Sequence, residues 1–239
     1  MKTRNSLLSV AVLAAWSGAA QAEIAIDVIG GSEISFEGLL QTDMNWYSED
    51  LASPLLDADI KDGDDADYNL RRAELILKGK GPGMWNWVLG YDAFANKFLD
   101  TNVAYRFGDS SLMFGQYKQP NSLEELSSTK NNDFQSKAMT TNLFGMGRRV
   151  GAAYTYAKPN WGATASYFGN ELTPNESPSL GTGYGWGTRG YFAPINSDAH
   201  FLHFGLSYID MEARNSSDQE IARLRARPDA DLSAARLVD

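Results

Sequence analysis

From Ile34 to Tyr47 the side chains alternate along the chain. Ile34, Phe36, Gly38, Leu40, Thr42, Met44 and Trp46 fall on one face, and Ser35, Glu37, Gln41, Asp43 and Asn45 on the other, with Leu39 the exception. A period of two means extended backbone with two unlike faces. The stretch far exceeds the ~5–6 residues usual in soluble sheets, and it is long enough for a tilted strand, which needs ~9–11 residues to cross a bilayer. A chain with such a strand must find a different solvent for each face.

Weaker versions of the same pattern follow at Asn69–Lys78, Trp85–Phe94, Leu99–Phe107, Leu112–Lys118, Arg149–Ala157, Trp161–Gly169, Gly185–Phe192 and Phe201–Ile209. Nine strands are therefore expected. Their connections sort by parity. Long ones follow the first (Ser48–Tyr68), fifth (Gln119–Arg148), seventh (Asn170–Tyr184) and ninth (Asp210 onward). Tight turns follow the second (Gly79–Gly83), fourth (Gly108–Ser111), sixth (Lys158–Asn160) and eighth (Ala193–Ala199), and only the short link Ala95–Phe98 breaks the alternation. An antiparallel meander with short turns at one end and long loops at the other is the plan of a bacterial outer-membrane barrel. Aromatic residues near the strand ends (Trp46, Tyr47, Trp85, Trp87, Tyr105, Phe107, Tyr154, Tyr156 and Trp161) fit the interfacial girdles of such barrels.

The N-terminus agrees with export. Lys2 and Arg4 precede an apolar run from Leu7 to Trp16, and Ala20-Gln21-Ala22 completes a secretory signal, which predicts a mature start at Glu23. Residues 1–22 are thus read as a signal peptide and 23–239 as a single β domain. No other stretch reaches the ~18 apolar residues of a spanning helix. Losing Lys2 and Arg4 takes the formal net charge from −9 to −11, an acidity that argues against nucleic acid as a partner. With no cysteine there is no disulfide framework or thiol chemistry.

The longest connection, at about 119–148, is the least ordinary one. Its start, Asn121-Ser122-Leu123-Glu124-Glu125-Leu126, reads as a helical turn begun by Ser122, with Glu125 at the capping-box spacing. A connection this long in a tight all-β chain is usually functional. It is read as an inward loop that constricts a channel.

Gly115-Gln116-Tyr117-Lys118-Gln119-Pro120 followed by Ser122-Leu123-Glu124-Glu125-Leu126 resembles the phosphate-selective porin O/P family. Asn69-Leu70-Arg71-Arg72-Ala73-Glu74-Leu75 and Arg223-Leu224-Arg225-Ala226-Arg227-Pro228 fit the same family, and the resemblance covers most of the mature chain. It implies a homotrimeric outer-membrane channel for inorganic phosphate or related oxyanions, seated among lipid and lipopolysaccharide, with an inward third loop, a ladder of arginines and no cofactor. Nine is an odd strand count, and the chain stops at Leu237-Val238-Asp239 without a terminal aromatic strand. The expectation is therefore a truncated member carrying about nine strands of a 16-stranded barrel.

Candidate pore residues are cations. Arg223, Arg225 and Arg227 recur every second residue, so extended backbone would line up three guanidinium groups, each able to meet an oxyanion at two points. Of Arg71 and Arg72, consecutive residues on a strand, only one is expected to face the bore. Arg72 is preferred, because Ala73, Leu75 and Leu77 make the better lipid face; Arg71 is kept as a weaker pore candidate, with the headgroup zone as its alternative place. Lys118, Lys130 and Lys137 would put ammonium groups at the constriction, and Arg106, Arg148 and Arg149 are weaker candidates. The acidic run Asp57–Asp67 lacks the ligand spacing and final Glu of a calcium loop and reads first as a solvated outer loop, with binding of divalent cations as the alternative. No metal site is expected. A general or cation-leaning porin is the first alternative, suggested by Glu37 and Asp43 on the polar face of the first strand. An outer-membrane hydrolase is the second; it would need a lipid-facing Ser–His pair, which His200 and His203 do not supply.

Overall fold

The computed structural model describes residues 24–28, 32–46, 66–131, 134, 136–172, 183–212 and 224. Ten strands succeed one another: β1 (Ile24–Val28), β2 (Ser32–Trp46), β3 (Ala66–Lys80), β4 (Trp85–Asp92), β5 (Lys97–Phe107), β6 (Ser110–Lys118), β7 (Arg148–Ala157), β8 (Trp161–Phe168), β9 (Gly185–Asn196) and β10 (Phe201–Met211). Each pairs antiparallel with the next, giving one all-β meander in the order β1 to β10. Among the described residues β1 and β10 are its two edges. No helix there is long and apolar enough to cross a membrane. The nine expected strands are all present. The tenth, β1, is five residues long, too short for its alternation to stand out until it lies against β2 in the register Ile24↔Phe36 to Val28↔Ser32. The proposed signal segment, most of the Asp57–Asp67 run, and Arg223, Arg225 and Arg227 lie outside the described residues.

Register carries the two-faced pattern across the whole sheet. One face continues from Leu40 through Leu75 and Leu77, Leu89, Val103, Phe114, Tyr154, Tyr167 and Trp186 to Leu206 and Tyr208, all exposed. We call this the outer face. So wide a continuous apolar surface is far more than a monomer exposes to water without a partner. The inner face carries Glu37, Gln41, Arg72, Glu74, Lys78, Asp92, Asn102, Thr155, Thr164 and Ser166. Leu39, the exception in the alternation of β2, is among the inner residues.

The turns 81–84, 108–109, 158–160 and 197–200 lie together at one end of the sheet; at the other, β2, β6 and β8 end, segment 119–147 departs, and the short turn 93–96 joins β4 to β5. Aromatic rings gather at the short-turn end: Trp85 packs 4.7 Å from Tyr105, Tyr105 stacks 5.9 Å from Phe107, and Tyr156 meets Trp161 at 5.3 Å. Lys158 bridges two neighbouring turns through Asp109 at 2.7 Å, and that exposed bond holds its ammonium above the usual lysine range. Strand β9 runs beyond its expected end and includes Pro194. The Ala193 N–H points to the β8 side, where it donates to Asn160 at 2.7 Å, so the nitrogen of Pro194 faces β10, at the place where the β9–β10 register shifts between Leu202 and Phe204 and no ladder bond is lost.

The buried core lies on the inner face under the root of segment 119–147. Phe168 is 1% exposed and packs where Gly185 of β9 leaves room, while Gln119 accepts a hydrogen bond from Ser166 at 3.0 Å. Gly115 and Gly151 pair across β6 and β7 in the same region. Gly115 has φ +117°, and a Cβ there would stand 2.4 Å from the carbonyl oxygen of Thr101, in the paired strand β5. Both the dihedral and the clash involve backbone, so neither can relax by a side-chain rotation. Gly115→Ala is expected to cost about 1–3 kcal/mol by overpacking and strain. A lowered urea midpoint for the folded protein, next to a nearly unchanged one for Gly81→Ala, where the dihedral is ordinary and an added Cβ would meet nothing nearer than 3.8 Å, would bear this out.

Candidate functional site

Segment 119–147 turns back over the inner face rather than extending beyond the sheet. It opens with a short helix α1 (Leu123–Leu126), continues through a 3-10 turn at Thr129–Asn131, and closes with α2 (Met139–Phe144). Ser122 caps α1, its hydroxyl accepting from the Glu125 N–H at 3.0 Å. The return half of the capping box is missing, because the Glu125 carboxylate is bonded to Lys137 at 2.8 Å instead. Ala138 offers α2 no side-chain cap, and Glu124 supplies one from the other helix. Its carboxylate accepts from the Ala138 N–H at 2.8 Å and from the Thr141 hydroxyl. The Thr141 bond, then the Ala138 bond and nearby Lys137, hold the Glu124 carboxyl below its usual range.

Between the segment and the sheet lies a cavity of about 890 Å³. Strand β3 contributes Arg71, Arg72 and Lys78; the segment contributes Lys130 and Lys137; Lys97, Lys118 and Arg148 come from the ends of β5, β6 and β7. These eight cations face six carboxylates (Glu37, Glu74, Asp92, Asp100, Glu125 and Glu171), so the described lining is positive by two although the chain as a whole is negative by nine. Most of the cations are held in defined pairs: Arg71 with Asp43 at 2.7 Å, Arg148 with Asp100 at 2.8 Å, and Lys78 and Lys130 together on Glu37.

Arg71 corrects an expectation. Alternation along a strand lets only one of Arg71 and Arg72 face inward, with the headgroup zone left for the other, yet both line the same cavity. The register explains this: Gln41 pairs with Arg72 and Thr42 with Leu70, which leaves Arg71 as the extra residue of a β-bulge. The bulge turns Arg71 toward the inner face. There it donates to Asp43 and to the Ser136 hydroxyl at 3.3 Å, while Arg72 donates to Gln41 at 2.9 Å and lies 3.5 Å from Glu74. Two adjacent guanidinium groups thus enter one cavity.

Lys118 and Arg148 stand directly opposite each other in the β6–β7 register. Arg148 points Nε and Nη2 at one oxygen of Asp100, at 3.0 and 2.8 Å. Lys118 donates to the carbonyl of Ser127 at 2.9 Å, a neutral acceptor. Arg149 is 5% exposed, lies behind the cavity wall and is bonded to Glu171 at 2.7 Å. Arg106 is exposed near the turn 108–109 and does not reach the cavity. Three inner-face cations went unselected in the sequence. Lys78 shares the face of Arg72 and Glu74, and Arg189 alternates with Trp186, Thr188, Gly190 and Phe192, so period two alone could have found both. Arg189 donates to Ser207 at 2.8 Å. Lys97 starts β5 and carries no periodic signal.

The family model for phosphate-selective porin O and P matches residues 53–239. The chain is also 28% identical over 151 residues to an uncharacterized protein of Caulobacter vibrioides. That alignment takes in 60% of this chain and 30% of the relative, so the chain spans about 30% of the length of the protein it matches.

Two outcomes follow from this geometry. Asp43→Asn strips the carboxylate from Arg71 in a pair whose side chains are 5% and 13% exposed, and should cost on the order of 2–3 kcal/mol in urea unfolding, since Arg71 keeps other partners. The Glu124 carboxyl is lowered in the native state, so it stabilises the segment above the ordinary Glu range, and that contribution is lost as pH falls through the lowered native value. Protection factors at Ala138 and Asn142, that is, amide exchange corrected for its intrinsic pH dependence, should therefore fall on acidification in the parent and stay flat with pH in Glu124→Gln.

Proposed function

The chain belongs to the phosphate-selective porin O and P family, and on that premise we propose that it forms part of an outer-membrane channel through which phosphate or related oxyanions diffuse. The outer face would meet lipid, with the aromatic ring of the short-turn end at the inner interface. Segment 119–147 would be the constriction, homotrimers the assembly, and lipopolysaccharide the neighbour of the long-loop end. No covalent chemistry or cofactor is required.

The observation that carries the reading is the pairing of Lys118 with Arg148. Like charges directly opposite across a ladder destabilise a sheet. Here they stand at the cavity wall, and Lys118 offers two ammonium protons beyond the one given to Ser127. Lys137 is close enough to add to the same field. An oxyanion between these groups would relieve their repulsion and replace part of its own hydration with charge-assisted hydrogen bonds. Partial neutralisation by Asp100 and Glu125 would keep the site weak enough to release what it binds, which conduction demands. Arg71 and Arg72, and beyond the described residues Arg223, Arg225 and Arg227, would extend the cationic path. The carboxylates that suggested a cation-leaning channel, Glu37 and Asp43, are both bonded to cations and offer little to a passing cation.

Reversal potentials of the full-length protein in planar bilayers under a chloride gradient test the selectivity. We expect anion preference and a chloride current blocked by added phosphate. Lys118→Met should weaken that block about tenfold, the loss of one hydrogen bond to a charged group. Cation preference with no effect of phosphate would sink the proposal.

A further inference from the structure

Glu37 sits on the inner face of β2, paired in register with Ile76. Its two oxygens go to lysines from different parts of the fold. One accepts from Lys78 on the neighbouring strand β3; the other accepts from Lys130, at 2.8 Å, in the 3-10 turn of segment 119–147. The segment leaves the sheet at β6 and rejoins it at β7, whereas Glu37 lies four strands from β6. The Lys130–Glu37 bond therefore ties the far reach of the segment to the opposite part of the sheet. Lys130 and Glu37 are 16% and 17% exposed, so water and salt screen the pair poorly. A pair so enclosed is costly to split, because each charge would be left without its partner.

We infer that Glu37 is a positioning residue. Through Lys130 it pins segment 119–147 across the cavity, and in doing so it sets the width of the passage and hence its selectivity. Lys130 was selected in the sequence as an anion-binding group, but its charge is committed to a carboxylate. Lys78 keeps that carboxylate aimed from the other side, so that Glu37 cannot follow the segment away from the sheet. The tether is a matter of geometry in this chain; its effect on selectivity rests on the channel reading above.

The two roles for Lys130 give opposite signs. If Glu37 and Lys130 form a tether, removing either end loosens the same segment, which then keeps the longer Arg71–Ser136 bond to the sheet. Glu37→Gln and Lys130→Met, in the full-length protein in planar bilayers, should then both raise single-channel conductance. Both should also increase open-state current noise several-fold in plain chloride, and the double variant should do no more than either single one, as expected for two ends of one contact. If instead Lys130 binds the cargo and Glu37 merely offsets its charge, Lys130→Met weakens phosphate block, Glu37→Gln strengthens it, and both open states stay quiet. That outcome overturns the proposal, as do effects that add in the double variant or variants indistinguishable from the parent. Lys130 makes no ladder bond, so its variant tests the tether even if Glu37→Gln fails to fold, which the gel shift between unheated and heated samples reports. The parent's reversal potential is read separately. A cation-selective parent with noisy variants would overturn the anion channel and leave the tether standing.

Discussion

The antiparallel ladder of backbone hydrogen bonds is the constraint from which the other features follow. Side chains alternate strictly between faces, so a slip of one residue would carry the apolar set inward and the charges outward. In this chain the register keeps Leu40, Leu75, Val103, Phe114, Tyr167 and Leu206 on one surface across nine strands. If that surface meets lipid, the ladder carries a second burden, since unpaired backbone groups find no water there. The long strands β2 and β3 meet both needs at once, pairing over most of their length.

The useful departures are local. A single extra residue in β3 brings Arg71 and Arg72 into one cavity, where an unbroken ladder would have separated them. Glycine at 115 lets the backbone take a dihedral and an approach that a side chain would forbid, where β5, β6 and β7 come together. Both irregularities lie close to the charged cavity rather than at the short-turn end. Strand irregularities of this kind re-aim side chains, and sequences keep them next to sites for that reason.

Charge in the cavity serves two ends that compete. On the channel reading proposed above, lysine and arginine groups must be available to an anion, yet like charges gathered in one cavity repel one another and need carboxylates between them. Asp43, Asp100, Glu37 and Glu125 meet that need, and two of them also hold segment 119–147 in shape or in place. Lys118 gives its hydrogen bond to a carbonyl and not to a carboxylate, so on that reading it is where the balance would tip toward a mobile anion.

By itself the sequence determined the all-β class, the nine long strands and the ends from which long and short connections leave, because period two and turn residues are local properties. It also marked the segment between Pro120 and Met146 as unusual, through its length and the Ser122 cap, and its family resemblance at Gly115–Leu126 is matched by the family model. What only the tertiary structure decided is which charges meet. Arg71 could not be placed by alternation, since a bulge is defined by the partner strand and not by the residues that form it. The Lys130–Glu37 bond joins residues 93 positions apart, and no spacing rule reaches that far. Pairing partners, and with them the division of cations into those bonded to carboxylates and those bonded to neutral acceptors, exist only once the sheet has brought distant strands and the segment between β6 and β7 onto one face.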